Sequence, residues 1–500
     1  MAKKLTSEQK AFAFRLVIIL LVAAISVAGY VGFAYLQNKT VGFPLDDSWI
    51  HQTYAKNFAD GEGWVYQQGQ VSGGSTSPLF TALLSVIHFL NLPPVWGAYL
   101  LGFVLFVIAG MMVEEWLRNT INFNYAPKLP VAALVFLTEW HFVWASLSGM
   151  ETMLFIVFIL GVFLLLSKSS PRWLWIGLWV GLSIWVRPDG ITLLGPVFFS
   201  LALSSIGKRE KLATAMRVAA GFLIAFLPYL SFNRIIAGQW MPNTFYAKQI
   251  EYGVMQEIPF FTRMFNLYVL PFVGVGALLL PGLVDTFANI LKKRNWLIIS
   301  SVLWSTGYIL IYVWRLPVTY QHGRYVMPAM PIFIMLGFAG AMAVINKLRT
   351  GKFWERIAGT VWLLSALLIL GIFWFQGMTA YQEDVAIIQE EMVNPSMWIS
   401  ENTGSDALIA AHDIGALGYF GQREIIDLAG LISPEVIPMI RNEKELASYL
   451  QARNVDYLMT FPDWYADLPL LGTMVYESGG QTAKQMGYPN MMIYQLNFDE

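Results

Sequence analysis

No cysteine occurs among the 500 residues, which excludes disulfides, thiol chemistry and cysteine-ligated metals. Charge is scarce as well. Asp, Glu, Lys and Arg make up 13% of the chain, against about 25% in an ordinary soluble protein. The formal net charge of −1 leaves no basic excess for nucleic acid. Five histidines are present, and none falls in a His-x-x-x-His or Glu-x-x-His pattern that would mark a dedicated metal site.

Hydrophobic residues account for 56% of the chain. Apolar runs recur from Ala11 to Met378, most of them long enough to cross about 30 Å of hydrocarbon. They predict a mainly α, polytopic membrane domain of about eleven spans: 12–35, 95–117, 129–146, 151–168, 172–187, 190–206, 215–235, 268–290, 296–314, 326–346 and 357–378. A shorter run, Pro78–Leu92, is expected to lie at or dip into the outer face. Residues 1–380 are therefore read as the membrane domain and 381–500 as a small external α/β domain. In the latter, strands are expected at Ala407–Ala411, Glu424–Leu428, Asp456–Thr460, Thr473–Tyr476 and Met491–Leu496. Helices are expected at Asn394–Asn402 and Lys444–Arg453.

Lysine and arginine accumulate in cytoplasmic loops, and their distribution orients the chain. With the N-terminus inside, the cytoplasmic segments hold Lys3, Lys4, Lys10 and Arg15, then Arg118 and Lys128, Lys168 and Arg172, Lys208 to Arg217, Lys292 to Arg294, and Lys347 to Arg356. That drawing puts the C-terminal domain outside the cytoplasm, in a cell (plasma or inner) membrane. It also puts the unusual polar residues on one face, where intramembrane or membrane-edge charges are candidates for function.

Asp46 and Asp47 lie in the first outer loop, 37–79, ahead of a helix-like segment. Adjacent carboxylates at a membrane surface need a cation or hydrogen bonds in compensation, and one of them suits a general base. A helix N-cap would account for one aspartate but not for both. Arg187, Arg324, His322 and Lys248 stand at other outer ends and together suit a phosphate group. Gly69–Pro78 reads equally as an anion-binding loop or a turn. Glu151 is read as a carboxylate favoured at a helix N-terminus, and Trp140-His141 as packing. His412-Asp413 closes a strand before a glycine turn and is left as either a functional pair or a capped turn.

With these residues in view, the chain resembles the polyprenyl-phosphate-sugar glycosyltransferases of the GT-C fold, particularly the bacterial arabinofuranosyltransferase and mannosyltransferase-like members. The resemblance runs through Pro44-Leu-Asp-Asp47, Tyr54-Ala-Lys-Asn57, Gly61-Glu-Gly63, Gly74-Ser-Thr-Ser-Pro-Leu79, Arg187-Pro-Asp-Gly190 and His322-Gly-Arg-Tyr325. It implies an inverting single displacement on the outer face. The donor is a polyprenyl-phosphate-linked sugar and the acceptor a glycan, lipid or protein hydroxyl. Asp46 is the preferred base and Asp47 the second choice; Arg324, Arg187, His322 and Lys248 hold the departing phosphate. Some members place a divalent cation near the acidic pair. This chain offers no clear additional carboxylate ligand, so no metal residue is assigned and a cation stays open. The reading from a different class is a lipid or solute transporter, or flippase. Against it stand the absence of a visible internal repeat and of charge deep in a span.

Overall fold

The computed structural model describes residues 6–121 and 129–498. Lys3, Lys4 and Lys128 of the expected basic loops lie outside the described residues. α1 (Ser7–Asn38) opens on a capping box: Thr6 Oγ1 accepts from the Gln9 amide, and the Thr6 amide donates to Gln9. A pinned loop then leads into α2 (Asp47–Ala59), the hairpin β1 (Val65–Gln67) and β2 (Gln70–Val71), α3 (Pro78–Phe89) and α4 (Pro94–Ile121). The bundle continues through α5 (Val131–Thr138), α6 (Trp140–Leu147), α7 (Thr152–Leu166), α8 (Trp173–Ile184) and α9 (Leu194–Leu203). Next come α10 (Lys208–Ala237), α11 (Asn243–Glu251), α12 (Phe260–Val269), α13 (Val275–Lys293) and α14 (Trp296–Arg315). A short turn, α15 (Tyr320–Gly323), precedes α16 (Met330–Arg349) and α17 (Phe353–Ile388).

Among the described residues seven helices are long and apolar enough to cross a membrane, or eight if α6 and α7, bent by 119°, form one broken span. The eleven expected spans all become helical, but those at 129–146, 151–168, 172–187 and 190–206 form shorter pieces. A 12-residue helix such as α8 is only ~18 Å long. The 129–146 run breaks at Glu139, which turns to an extended backbone and accepts the His141 amide as N-cap of α6. Leu21, Ile25, Leu364 and Leu368 are exposed on the outer helices, as side chains facing lipid would be. Inside, α13 and α16 touch at Gly282, where a Cβ would lie 2.2 Å from the Ala341 nitrogen.

A π-turn at Gln389–Val393 carries the chain from α17 into α18 (Asn394–Asn402). The five expected strands follow as β3 (Leu408–Ala411), β4 (Glu424–Asp427), β5 (Tyr457–Thr460), β6 (Gly472–Glu477) and β7 (Met492–Leu496), with α19 (Glu443–Ala452) and α20 (Gln481–Gln485). Their order is β4-β3-β5-β7-β6. β3 pairs parallel with β4 and β5, while β7 pairs antiparallel with β5 and β6. One face buries Ala410, Ile426 and Leu458 against Leu446 and Leu450 of α19. The sheet docks onto the first loop: Tyr66 Oη donates to the Ile414 carbonyl at 2.5 Å, and Gln67 exchanges two bonds with Ile425. The C-terminal ends of β3 and β4 thus face α2.

Candidate functional site

The acidic pair is held from below before it does anything. Tyr99 Oη donates to the Gly42 carbonyl, Phe43 packs edge-on against Trp49, and Ser48 Oγ donates to the Ser148 carbonyl at 2.6 Å. These anchors fix the first turn of α2. Asp46 occupies the N-cap position of that helix, yet its side chain makes no cap bond. Instead Oδ2 accepts the Gly415 amide at 2.6 Å and Oδ1 the Ala416 amide at 2.7 Å, both from the loop after β3. Burial, and then the charge of Asp413, push Asp46 up to about 8, against the pull of those two amides.

Asp47 meets two cations. Arg324 Nη2 donates to its Oδ2 at 2.5 Å, and Lys248 Nζ lies 3.8 Å away. Burial opposes ionisation of Asp47, but Arg324 and Lys248 outweigh it and hold the carboxyl well below the usual range. Both cations also donate to Tyr325 Oη, at 2.9 Å from Lys248 and 3.0 Å from Arg324. Arg324 Nε and Nη1 are buried and have no hydrogen-bond partner among the described residues. Buried guanidinium N–H groups left without a partner in this way call for an acceptor.

These groups line a cavity of about 400 Å³. Arg187 lines it as well, 5.8 Å from the same Tyr325 ring, with Nη2 donating to Tyr312 Oη at 2.8 Å and Nε to Asp189 at 3.1 Å. Tyr308 and Tyr312 donate to the same Asp189 oxygen. Glu151 stands between Arg187 and His51, at 3.5 Å from each. Met150, Ile191, Met241, Phe245, Ile311 and Leu316 make the body of the lining apolar, with Arg315, Gln249 and several threonines among them. A polar end and an apolar body suit an amphiphile with an anionic head.

The structure therefore brings Asp47, Arg324, Arg187 and Lys248 into one cavity, with Asp46 in a smaller adjoining pocket. His322 is not with them. Its Nε2 lies 2.7 Å from Asp384 Oδ2, and its ring packs edge-on against Trp140 and Trp144. Gln321, His322 and Gly323 all have left-handed backbone, at φ 55°, 57° and 70°. That run, costly for the two non-glycine residues, turns His322 and Arg324 to different sides.

Other sequence readings also resolve. Glu151 stands at the N-terminus of α7 as expected, in the N-cap position, but makes no cap bond and lines the cavity. The Gly69–Pro78 segment is a packed strap, its Gly74 amide spent on Tyr54 Oη and its Ser72 on the same hydroxyl. His141 pairs with Glu139 at 2.8 Å, and both are buried. His412 lies between Asp413 at 3.3 Å and Glu251 at 3.4 Å. Burial pulls its pKa down, but those carboxylates outweigh it and push it up to about 10. Asp189 and Tyr325, both within the quoted motifs, complete the wall with Tyr308 and Tyr312, which were not singled out; an apolar run with tyrosines four apart, at 308 and 312, was the available signal.

Comparison with known proteins places the fold. A profile described as a domain of unknown function (DUF8728) matches residues 378–494. No curated protein matches the sequence. Among solved structures, the oligosaccharyltransferase of Archaeoglobus fulgidus in the apo form aligns over 91% of this chain and 70% of its own, with a TM-score of 0.64 and 13% identity. AglB from Archaeoglobus fulgidus in complex with an inhibitory peptide and a dolichol-phosphate aligns over 91% of this chain and 69% of its own, with a TM-score of 0.62 and 13% identity. ArnT from Cupriavidus metallidurans bound to undecaprenyl phosphate aligns over 99% of both chains, with a TM-score of 0.58 and 13% identity. The chain has the GT-C fold: a helical membrane domain followed by a small C-terminal sheet domain.

Proposed function

We propose that this protein is a glycosyltransferase that moves one sugar from a polyprenyl-phosphate donor to an acceptor hydroxyl, on the extracytoplasmic face of a plasma or inner membrane. Residues 1–380 form the transferase domain, with its catalytic loop at 37–79, and 381–500 the external domain. The observation that carries the reading is the pair of unpartnered buried N–H positions on Arg324, Nε and Nη1, in a largely apolar cavity that Lys248 and Arg187 also line. The neighbours of the same fold were solved with undecaprenyl phosphate and with a dolichol-phosphate, which supports a lipid-phosphate donor.

In this reading Asp46 takes the proton from the acceptor hydroxyl, whose oxygen attacks the anomeric carbon. The bond from that carbon to the phosphate oxygen breaks, and polyprenyl phosphate leaves with the electron pair. A carboxylate raised to about 8 is a far stronger base than Asp47 in its double ion pair. Asp47 acts instead as the anchor that orients Arg324 and Lys248. Those two and Arg187 neutralise the charge that grows on the phosphate. A related oligosaccharyltransferase structure contains zinc and sulfate. Among the described residues of this chain no group of three His, Asp or Glu is arranged to hold a metal, and no step here is routed through one.

The test is release of polyprenyl phosphate by protein purified in nanodiscs, given a panel of polyprenyl-phosphate sugars and membrane-extract acceptors. Wild type releases it only with acceptor present, and Asp46→Asn loses roughly 10²–10⁴-fold in rate. Movement of the lipid across a vesicle membrane with no release would sink the transferase reading in favour of transport.

A further inference from the structure

A second opening leads to the acidic pair. It is a cleft of about 770 Å³ between the C-terminal domain and the segment around Glu251, within the ~300–1,000 Å³ common for ligand sites. A narrow pocket of about 80 Å³ continues it inward and ends on Asp46, Asp47 and Arg324. Cleft and pocket share Glu251, His412 and Asp413, so whatever enters the cleft reaches the carboxylates by a route distinct from the donor cavity. Asp47 lines both the pocket and the donor cavity.

The lining has a definite chemistry. Trp464 is 41% exposed although buttressed, with the His412 ring 4.8 Å away at 75° and the Phe461 ring 5.0 Å away at 58°. A held, half-open indole offers a flat face to the C–H side of a sugar ring without ordering cost. Four carboxylates, Glu251, Asp413, Glu443 and Asp463, face one arginine and one histidine. Glu443 is occupied by the amides of Ala466 and Asp467, whereas Asp463 has no hydrogen bond or ion pair among the described residues. Free carboxylate oxygens accept from hydroxyls, and the excess of negative charge repels an anion.

We infer that this cleft is the acceptor subsite, and that it takes a neutral oligosaccharide whose terminal hydroxyl passes through the narrow pocket to Asp46. The inference rests on the transferase reading and adds the acceptor's class to it. His412, clamped between Glu251 and Asp413, joins the external domain to the C-terminal end of α11 and so sets the width of the cleft.

The experiment measures equilibrium binding to the full chain in nanodiscs of two kinds of probe. One is undecaprenyl phosphate. The other is a set of neutral hexasaccharides (maltohexaose, cellohexaose, mannohexaose) beside hexagalacturonate. The expected result is binding of at least one neutral hexasaccharide, with hexagalacturonate at least about tenfold weaker. Trp464→Ala weakens the neutral sugar about tenfold, Trp464→Phe restores most of it, and neither changes undecaprenyl phosphate binding. Hexagalacturonate binding as well as the neutral sugars, or Trp464→Ala binding them like wild type, would overturn the inference. So would undecaprenyl phosphate binding with no neutral hexasaccharide bound. Neutral sugar lost in Trp464→Ala, with no undecaprenyl phosphate bound by wild type, would support the sugar cleft and overturn the donor reading instead.

Discussion

Gly415→Ala is the substitution whose consequence the geometry fixes most tightly. A Cβ at this position would stand 2.0 Å from the Asp46 carbonyl oxygen and 2.7 Å from Asp46 Oδ2. The nearer contact is backbone, so no side chain can swing aside. Either the first turn of α2 or the loop after β3 must move by about 1 Å to restore an ordinary contact. Both amides on Asp46 come from that loop, at 2.6 and 2.7 Å, and a shift of this size stretches them. Above about pH 8, where Asp46 is charged, hydrogen bonds to it are worth ~1.5–3 kcal/mol each, so weakening two should lower stability there by about 2–4 kcal/mol. The larger effect is on rate, where a 1 Å misplacement of a catalytic group costs about 10²-fold. Those amides also pull the Asp46 pKa down, so their loss moves the pH optimum upward. The assay is kcat against pH for polyprenyl phosphate release, with thermal unfolding alongside. Gly371→Ala, where nothing lies within 4 Å of the added Cβ, serves as the control and should behave as wild type. A Gly415→Ala protein with kcat within about twofold of wild type would refute the claim that this loop sets the base, since ~10²-fold is expected.

Arg324→Ala should weaken undecaprenyl phosphate at least about tenfold in nanodisc binding, and Arg324→Lys should not restore it, because a lysine ammonium cannot keep the Asp47 contact and also present separate N–H groups where Nε and Nη1 stand. Activity should climb with pH and reach half its maximum near about 8, the value to which Asp46 is pushed, with the limb gone in Asp46→Asn. The same raised carboxyl keeps a proton that the unfolded chain has released; stability at Asp46 therefore falls as pH rises from the ordinary carboxylate range through about 8, and Asp46→Asn should flatten that slope of Tm. His322→Ala should leave undecaprenyl phosphate affinity unchanged while lowering Tm, since the ring's partners are Asp384, Trp140 and Trp144.

Helices and strands were readable because their signals are local. The apolar runs, the alternating strands from Ala407 to Leu496 and the α18 segment at Asn394–Asn402 appear where residue pattern puts them. The number of true crossings was less readable, because hydropathy does not register a break such as the one Glu139 makes by capping α6. At the site, Asp47, Arg324, Lys248 and Arg187 were visible as charges that an apolar chain keeps at its membrane edges. Glu151 stands at the helix N-terminus where the sequence puts it, but its contacts with His51 and Arg187 come from tertiary packing that no local pattern encodes. His322 and Arg324 are two residues apart, and only the left-handed backbone between them decides that one enters the cavity and the other does not. The role of Gly415 depends on a contact with Asp46 that spans most of the chain, which no local pattern encodes.

The most direct test of the central claim is to locate the lipid phosphate, by cryo-electron microscopy of the protein in nanodiscs loaded with undecaprenyl phosphate. The account predicts the phosphate within about 3 Å of Arg324 Nη1 or Nε, with the isoprenoid tail along the apolar wall of the same cavity. A phosphate bound elsewhere, with Nε and Nη1 of Arg324 turned to water or to a protein group, would contradict it.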